Sequence, residues 1–525
     1  MNHLIHHSIF SSAARTPDAE ALVYGKHRLS YAALAAQVDA VAAALLAHGL
    51  AAGDRVAVYM EKRIENVAAL FGTAAAGCVF VPVNPLLKPE QVAYILADCN
   101  VRLLATTPER LAALTPVLAQ CPDLQAVLVT GAVRLDTIAP PALPVLDWPG
   151  AGSAAGHRRI DTDVAAILYT SGSTGAPKGV VLSHRNLVAG ADSVADYLAL
   201  RADDRILAVL PLSFDYGLSQ LTTTFLRGAC AVLINHLFAH DIVTMVAQER
   251  ITGLAAVPPL WIALARLAWP ADCTLRFITN SGGAMPVPTV TALQAALPAA
   301  RIFLMYGLTE AFRSTYLPPE QVALRPGSIG RAIPNAEILV VRADGSVCDV
   351  DEPGELVHRG PLVSMGYWND VERTAQRFRP APGQSPALPV TELAVWSGDT
   401  VRRDADGYLY FIGRGDDMIK VSGYRVSPTE IETVLHGTGM VSEAAAFGID
   451  HPTLGQAIAV IAVPSGGIDA ASLLAECRRR LPAYMVPAHF DLREQALPRN
   501  PNGKVDRNLL RATLAGLTFT SSTAP

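Results

Sequence analysis

The chain has 525 residues, 51% of them hydrophobic and 17% charged, enough apolar material for a substantial core and too much for a disordered chain. With 42 basic and 47 acidic residues and a formal charge of -5, there is no global electrostatic case for binding nucleic acid or an anionic membrane. At roughly 150 residues per domain the length permits three or four units, or one large and one small.

Met1 to Phe10 carries three histidines and no cationic segment leading into an apolar core, so no secretory leader is expected. Val41 to Leu46 and similar apolar runs are cut by residues such as His48, Gly49 and Asp54. They fall well short of the ~20 residues that span a bilayer, and no membrane insertion is expected. The seven cysteines, at 78, 99, 121, 230, 273, 348 and 477, are scattered, with no Cys-x-x-Cys pair and no clustering with histidine. That usage predicts reduced thiols and a cytoplasmic location.

Runs rich in Val, Ile and Leu, at Val56 to Tyr59, Leu103 to Ala105, Ala126 to Val129 and Ala231 to Ile234, read as buried strands. Alanine-rich stretches of helical length, Tyr31 to His48 and Pro89 to Asp98, alternate with them. The alternation predicts an α/β fold with largely parallel sheets. Ala139 to Gly156 and Pro380 to Pro389 read as connecting loops. Near residue 414 the strand-like Gly407 to Ile412 gives way to Gly413-Arg414-Gly415-Asp416-Asp417, and about 110 residues with their own strand and helix signals follow. A domain boundary there is expected.

The strongest local signal follows the strand-like Val164 to Leu168. It is Leu168-Tyr169-Thr170-Ser171-Gly172-Ser173-Thr174-Gly175-Ala176-Pro177-Lys178-Gly179. Glycines, hydroxyl side chains and one lysine in a tight loop supply the backbone N–H groups, donors and cation that a polyphosphate requires. The loop lacks the Gly-Lys-Ser/Thr ending of a Walker motif.

In this order of residues the loop resembles the phosphate loop of the adenylating superfamily of acyl-CoA synthetases, nonribosomal peptide synthetase adenylation domains and luciferases. The resemblance continues through Asn280-Ser281-Gly282-Gly283-Ala284, Met305-Tyr306-Gly307-Leu308-Thr309-Glu310, Gly354-Glu355-Leu356 and Gly366-Tyr367-Trp368. It then runs through Ser397-Gly398-Asp399, Gly413 to Asp417, and Pro498-Arg499-Asn500-Pro501-Asn502-Gly503-Lys504. Within the superfamily the chain looks most like stand-alone AMP ligases associated with exosortase A systems.

The resemblance implies a large N-terminal domain of layered sheets and helices, residues 1–414, and a small mobile α+β domain, 415–525, turning about a hinge at Asp416. It implies ATP and magnesium as cofactors and an AMP-forming ligation of an acid to a phosphopantetheine thiol. Thr170, Ser171, Gly172, Ser173, Thr174, Gly175 and Lys178 would hold the phosphates. Gly283 and Ala284 would lie against the base, Tyr306 beside Gly307 would stack on adenine, and Asp399 with Arg414 would hold the ribose. Thr309 and Glu310 would bind phosphate and magnesium, and a hard cation bridging phosphates needs only one or two protein carboxylates. Lys504 would bridge the acid's carboxylate and the α-phosphate, since a cation between two anions lowers their approach penalty. Lys420 and Arg425 would meet the pantetheine arm after domain rotation.

The acid pocket maps to Asp215, Tyr216, Ser219, Met305, Arg313 and Ser314. An aspartate at 215 would pair with the ammonium of an amino acid, or it is a helix N-cap without substrate contact. A buried Arg313 calls for an anion, but it can also face solvent or pair within the protein. The acceptor is a discrete carrier protein or free CoA. Lys420 resembles the lysine of carrier-loading enzymes, and Arg478 to Arg480 could meet an acidic carrier helix or form a solvated helix face.

Overall fold

The computed structural model describes residues 2–131, 143–170, 177–414, 418–421, 424–451, 454–481, 483–501, 503–514 and 516–517. The chain is an α/β protein with a large N-terminal part and a smaller C-terminal part. A seven-stranded sheet is parallel except for its last pair, in the order Val145–Asp147, Ala126–Val129, Val101–Thr106, Arg55–Tyr59, Val79–Pro82, Val164–Thr170 and Lys178–Ser183. Its central strands are largely apolar because both faces are covered. Val56, Val58 and Phe80 enter one core, while the alternating Ala57, Tyr59, Val79 and Val81 enter a second one with Val92 and Leu96 of the helix Pro89–Asp98.

The first of these cores is shared with a second, larger sheet. Glu20–Tyr24, Cys230–Leu233, Arg205–Ala208, Gly253–Ala256, Phe277–Asn280 and Arg301–Tyr306 run parallel there, and antiparallel strands from Thr315 to Arg414 extend it. The helices Tyr31–Ala47 and Ile64–Ala76 cross in this core at Gly72, where a Cβ would stand 2.7 Å from the Val41 side chain. The helix Asp215–Arg227 ends on Gly228 at φ 73, the left-handed cap that favours glycine.

Residues from Ile419 onward build a separate five-stranded sheet around the antiparallel pair Val441–His451 and Gly455–Pro464. Ala446, Ile458 and Val460 pack toward the helices Pro428–Gly437 and Ala470–Arg480, and Ala445, Phe447 and Ile461 toward Arg507–Thr513. The predicted hinge Asp416 lies outside the described residues.

Two expectations need correction. The stretch 139–156 is not loop throughout, since Val145–Asp147 adds a short parallel edge strand beside Ala126–Val129. Proline at 144 donates no hydrogen bond, and its carbonyl accepts from Val127 N at 2.9 Å, so a Pro-rich segment can still join a sheet edge. Pro380 likewise closes the edge strand Phe378–Pro380 rather than opening a loop.

Candidate active site

The site lies where parallel strands of the larger sheet end. Phe277–Asn280 and Arg301–Tyr306 run side by side and deliver the turns 280–284 and 306–313 at their carboxyl ends, the usual ligand position in an open parallel sheet.

Val164–Thr170 and Lys178–Ser183 are antiparallel, with Thr170 opposite Lys178. The predicted phosphate loop therefore joins two antiparallel strands rather than a strand to a helix, in keeping with its missing Walker ending. Ser171, Gly172, Ser173, Thr174 and Gly175 lie outside the described residues. At one foot of the loop, Thr170 Oγ1 is buried and has no hydrogen-bond partner among the described residues. Such a group costs roughly 1–3 kcal/mol until it finds one, and a phosphate oxygen fits that need. At the other foot, Lys178 Nζ lies 2.9 Å from Glu310 Oε1 and 2.8 Å from the Tyr367 hydroxyl.

Glu310 sits on the short turn Thr309–Ala311 and is 6% exposed, with Thr309 buried beside it. Tyr367 donates to its carboxylate at 2.5 Å. Burial pushes the carboxyl pKa up, but Lys178 and Arg377 outweigh burial and hold it at about 2. A carboxylate kept ionised and facing an ammonium suits a hard divalent cation, so the donor chemistry fits magnesium.

At the nucleoside end, the Tyr306 hydroxyl donates to Asp399 Oδ2, and Arg414 Nε stands 3.2 Å from Asp399 Oδ1. Burial raises the Asp399 pKa and Arg414 opposes it. Gly283 carries no side chain beside Pro258, and Ala284 follows it. A Cβ at Gly307 would come 2.8 Å from the Phe312 carbonyl, so this turn is tight enough to require glycine.

Lys504 arrives from the small C-terminal part. Asn500 N donates to the Lys504 carbonyl at 2.8 Å and Gly503 N to the Asn500 carbonyl at 2.9 Å, closing a turn with Gly503 at φ 78. Arg499 and Glu443 tie the turn to the strand Val441–His451, and Asn84 Nδ2 donates to the Pro501 carbonyl at 3.2 Å across the cleft. The Lys504 ammonium stands 5.9 Å from the Phe214 ring centre, and its Cε lies 3.3 Å from where a Cβ on Gly282 would be. Protein surrounds the group on most sides although the residue keeps contact with cleft solvent. Burial lowers its pKa, opposed by Asp215, Asp399 and Glu310, and water in the open cleft moderates that pull.

Asp215 is the first residue of the helix Asp215–Arg227, whose cap position is Phe214. It is therefore not an N-cap, although a carboxylate in the first turn still suits the helix dipole. Its side chain is buried, which raises its pKa against the pull of Arg313 and Lys504. Tyr216 is buried with its hydroxyl 2.5 Å from Thr279 Oγ1, and Ser219 is buried one turn along. Met305 Sδ accepts from the Tyr197 hydroxyl at 2.9 Å.

Arg313 faces the interior, not solvent, at 2% exposure. Its Nη1 donates to Ser281 Oγ at 2.7 Å and its guanidinium lies 4.7 Å from the Tyr216 ring centre. The residue before it, Phe312, holds φ 58 and ψ -72, the rare positive-φ γ-turn geometry that costs a non-glycine residue about 1–3 kcal/mol. The Phe312 ring fills the space over Gly190, where a Cβ would stand 2.5 Å from its Cδ1. Ser314 is engaged elsewhere, its Oγ 2.9 Å from Nδ1 of buried His358.

Lys420 and Arg425 are paired in backbone register in the hairpin Ile419–Val421 and Tyr424–Val426. Arg479 and Arg480 both pair with Glu476 on their own helix, so that part of the basic cluster is internally balanced.

Sequence reading missed Tyr367 as a partner of Glu310, although it quoted the motif containing it. It also missed Arg377, whose charge acts on Glu310, Tyr367 and Asp399 and whose buried Nε has no hydrogen-bond partner. Arg377 ends the surface helix Val371–Arg377, and nothing in its spacing distinguishes it from a solvated arginine.

The AMP-binding enzyme model matches residues 9–368, and the AMP-binding enzyme C-terminal domain model matches 430–504. The chain belongs to the AMP-binding enzyme family. It is 32% identical over 541 residues to the L-proline--[L-prolyl-carrier protein] ligase of Pseudomonas fluorescens, covering 98% of this chain and 100% of that protein. It is 31% identical over 513 residues to tyrocidine synthase 3 of Brevibacillus parabrevis, covering 96% of this chain but only 8% of that much longer protein. Among solved structures, the anthranilate CoA ligase AuaEII in complex with anthranoyl-AMP superposes with a TM-score of 0.86 at 25% identity, covering 97% of each chain. The family matches span both the large part, with Lys178, Glu310 and Tyr367, and the C-terminal part up to Lys504.

Among the described residues, no helix is long and apolar enough to cross a membrane. All seven cysteines are free in the structure.

Proposed function

We propose that this protein is an ATP-dependent, AMP-forming ligase that activates an amino acid as its acyl adenylate and passes the acyl group to a carrier-protein phosphopantetheine thiol. The observation that carries the reading is the placement of Lys504, from the small part, against Gly282 and Phe214 of the large part, within electrostatic reach of Asp215, Glu310 and Asp399. A cation between the acid pocket and the nucleotide cluster is what adenylation requires, because a carboxylate must approach a phosphate of the same sign.

Asp399 and Arg414 would orient the ribose, with Tyr306 supplying an aromatic face for the base. Thr170 and Lys178 would hold the phosphates, and Glu310 would hold magnesium, which neutralises phosphate charge. Asp215 would accept from the substrate ammonium and Lys504 would steady the attacking carboxylate. A rotation about Asp416 would then exchange Lys504 for the Lys420 to Arg425 hairpin at the site.

Similarity over the full length of a carrier-protein ligase supports the carrier as acceptor. The second reading, a ligase using free CoA, is favoured by the superposition on anthranilate CoA ligase. The test is substrate-dependent exchange of labelled pyrophosphate into ATP, followed by thioester analysis with CoA and with a phosphopantetheinylated carrier. Exchange driven by amino acids with product on the carrier supports the proposal. Product on CoA alone selects the second reading.

A further inference from the structure

We propose that the acid this protein activates carries a second anionic group, read by Arg313, so that its substrates are dicarboxylic amino acids such as glutamate or aspartate. The inference rests on the amino acid ligase reading above and narrows it.

Arg313 is among the largest fully buried side chains in the protein. What holds it is neutral: Ser281 Oγ at 2.7 Å, the face of Tyr216 at 4.7 Å, and the Tyr197 hydroxyl close by. Its Nε is buried without a hydrogen-bond partner. Among the described residues the guanidinium forms no ion pair with a carboxylate, while Asp215 lies within its electrostatic reach. A guanidinium removed from water and left unpaired is costly, so such a group implies an anion that arrives from outside.

Position supports a substrate anion. Arg313 bonds to Ser281, and Lys504 lies against the next residue, Gly282, so the two cations flank one turn. Asp215 feels both Arg313 and Lys504 and touches neither as an ion pair. Two separated cations with one carboxylate in electrostatic reach of both match two carboxylates and one ammonium. The reacting carboxylate lies at Lys504, the ammonium at Asp215 and the second carboxylate at Arg313. The strained Phe312, locked over Gly190, fixes the backbone that aims Arg313 inward. The aromatic side chains beside Arg313 are themselves held in place, Tyr216 by Thr279 and Tyr197 by stacking on Tyr316 with ring centres 4.2 Å apart and by its bond to Met305.

The experiment is pyrophosphate exchange on the full chain with glutamate, aspartate, their α- and ω-amides, norvaline and fatty acids. It is run for the wild type, Arg313→Met and Arg313→Lys, with thermal melting to confirm folding. A site built to pair a charge rejects the analogue that lacks it, so a dicarboxylic amino acid should exceed both of its amides by about a hundredfold or more in kcat/KM. Arg313→Met should bring the amide that keeps the reacting carboxylate within a few-fold, through KM for the diacid, while the other amide stays inert, and Arg313→Lys should keep part of the preference. If Arg313→Met does not fold, the wild-type panel with Arg313→Lys decides. Wild-type exchange as fast with norvaline or the amides overturns this inference and leaves the amino acid ligase intact. Exchange with fatty acids and with no amino acid overturns both readings.

Discussion

Lys178 Nζ lies 2.9 Å from Glu310 Oε1, so the lysine at the foot of the phosphate loop and the carboxylate assigned to magnesium neutralise each other. Tyr367 joins them, donating to Glu310 and lying 4.2 Å under the Lys178 ammonium by its ring centre. On the proposed function, nucleotide binding would exchange partners: Lys178 would leave Glu310 for a phosphate, and Glu310 would take the metal.

Glu310→Gln should therefore reduce pyrophosphate exchange by about a hundredfold to a thousandfold, the range for loss of one positioned charge. It should also remove most of the magnesium dependence of nucleotide binding measured by calorimetry. Nucleotide binding that remains as magnesium-dependent as in the wild type would assign the metal to another group.

Stability should fall on mild acidification. Burial lowers the pKa of His6 to about 3, of His184 to about 4 and of His358 to about 3, each from 6.5. His7 and His184 add to the effect on His6, while Asp163 and Asp161 oppose it at His184 against Arg159 and His7. Because these folded pKa values are depressed, the unfolded chain binds more protons between about 6.5 and 4, so stability drops as pH falls through that window, and these histidines contribute no change above it. Each histidine can cost up to about 1.4 kcal/mol per pH unit. Glu310, held at about 2, keeps its charge throughout that window. Urea midpoints should fall between pH 7.5 and 5.5, and less so in His6→Phe; equal midpoints at the two pH values contradict the assignment.

Gly190→Ala places a methyl group 2.5 Å from Phe312 Cδ1. Overpacking of this kind costs about 1–3 kcal/mol and should push Phe312, and with it Arg313, out of place. A lower melting temperature with raised KM for the acid and little change in KM for ATP is expected. An unchanged acid KM would show that Phe312 does not position Arg313.

Much of this was legible in the sequence, for identifiable reasons. Ala126–Val129 and Pro89–Asp98 have the boundaries their apolar runs and flanking residues predict, because burial on both sheet faces leaves little choice. The order of motifs places Glu310, Asp399 and Lys504, and the fold brings them to one cleft. The Tyr367–Glu310 bond, the inward turn at Phe312 and the reach of Arg377 were not legible. Each depends on contacts between segments far apart in the chain or on a backbone angle that no residue type announces. Ser314 shows the same limit, since its neighbour Arg313 turns inward to Ser281 while its own hydroxyl goes to His358.

Asp416→Pro should slow thioester formation far more than adenylation, since proline fixes φ where a hinge must change it. Rapid-quench measurement of both steps checks this, and equal rates in variant and wild type place the hinge at another residue.

The most direct test of the account is Lys504→Ala assayed in both half-reactions. Adenylation, measured by pyrophosphate exchange, should fall by about a hundredfold to a thousandfold, while transfer from supplied acyl adenylate to the thiol changes little. Equal loss in the two half-reactions, or exchange at the wild-type rate, contradicts the role given to Lys504 and the ligase mechanism built on it.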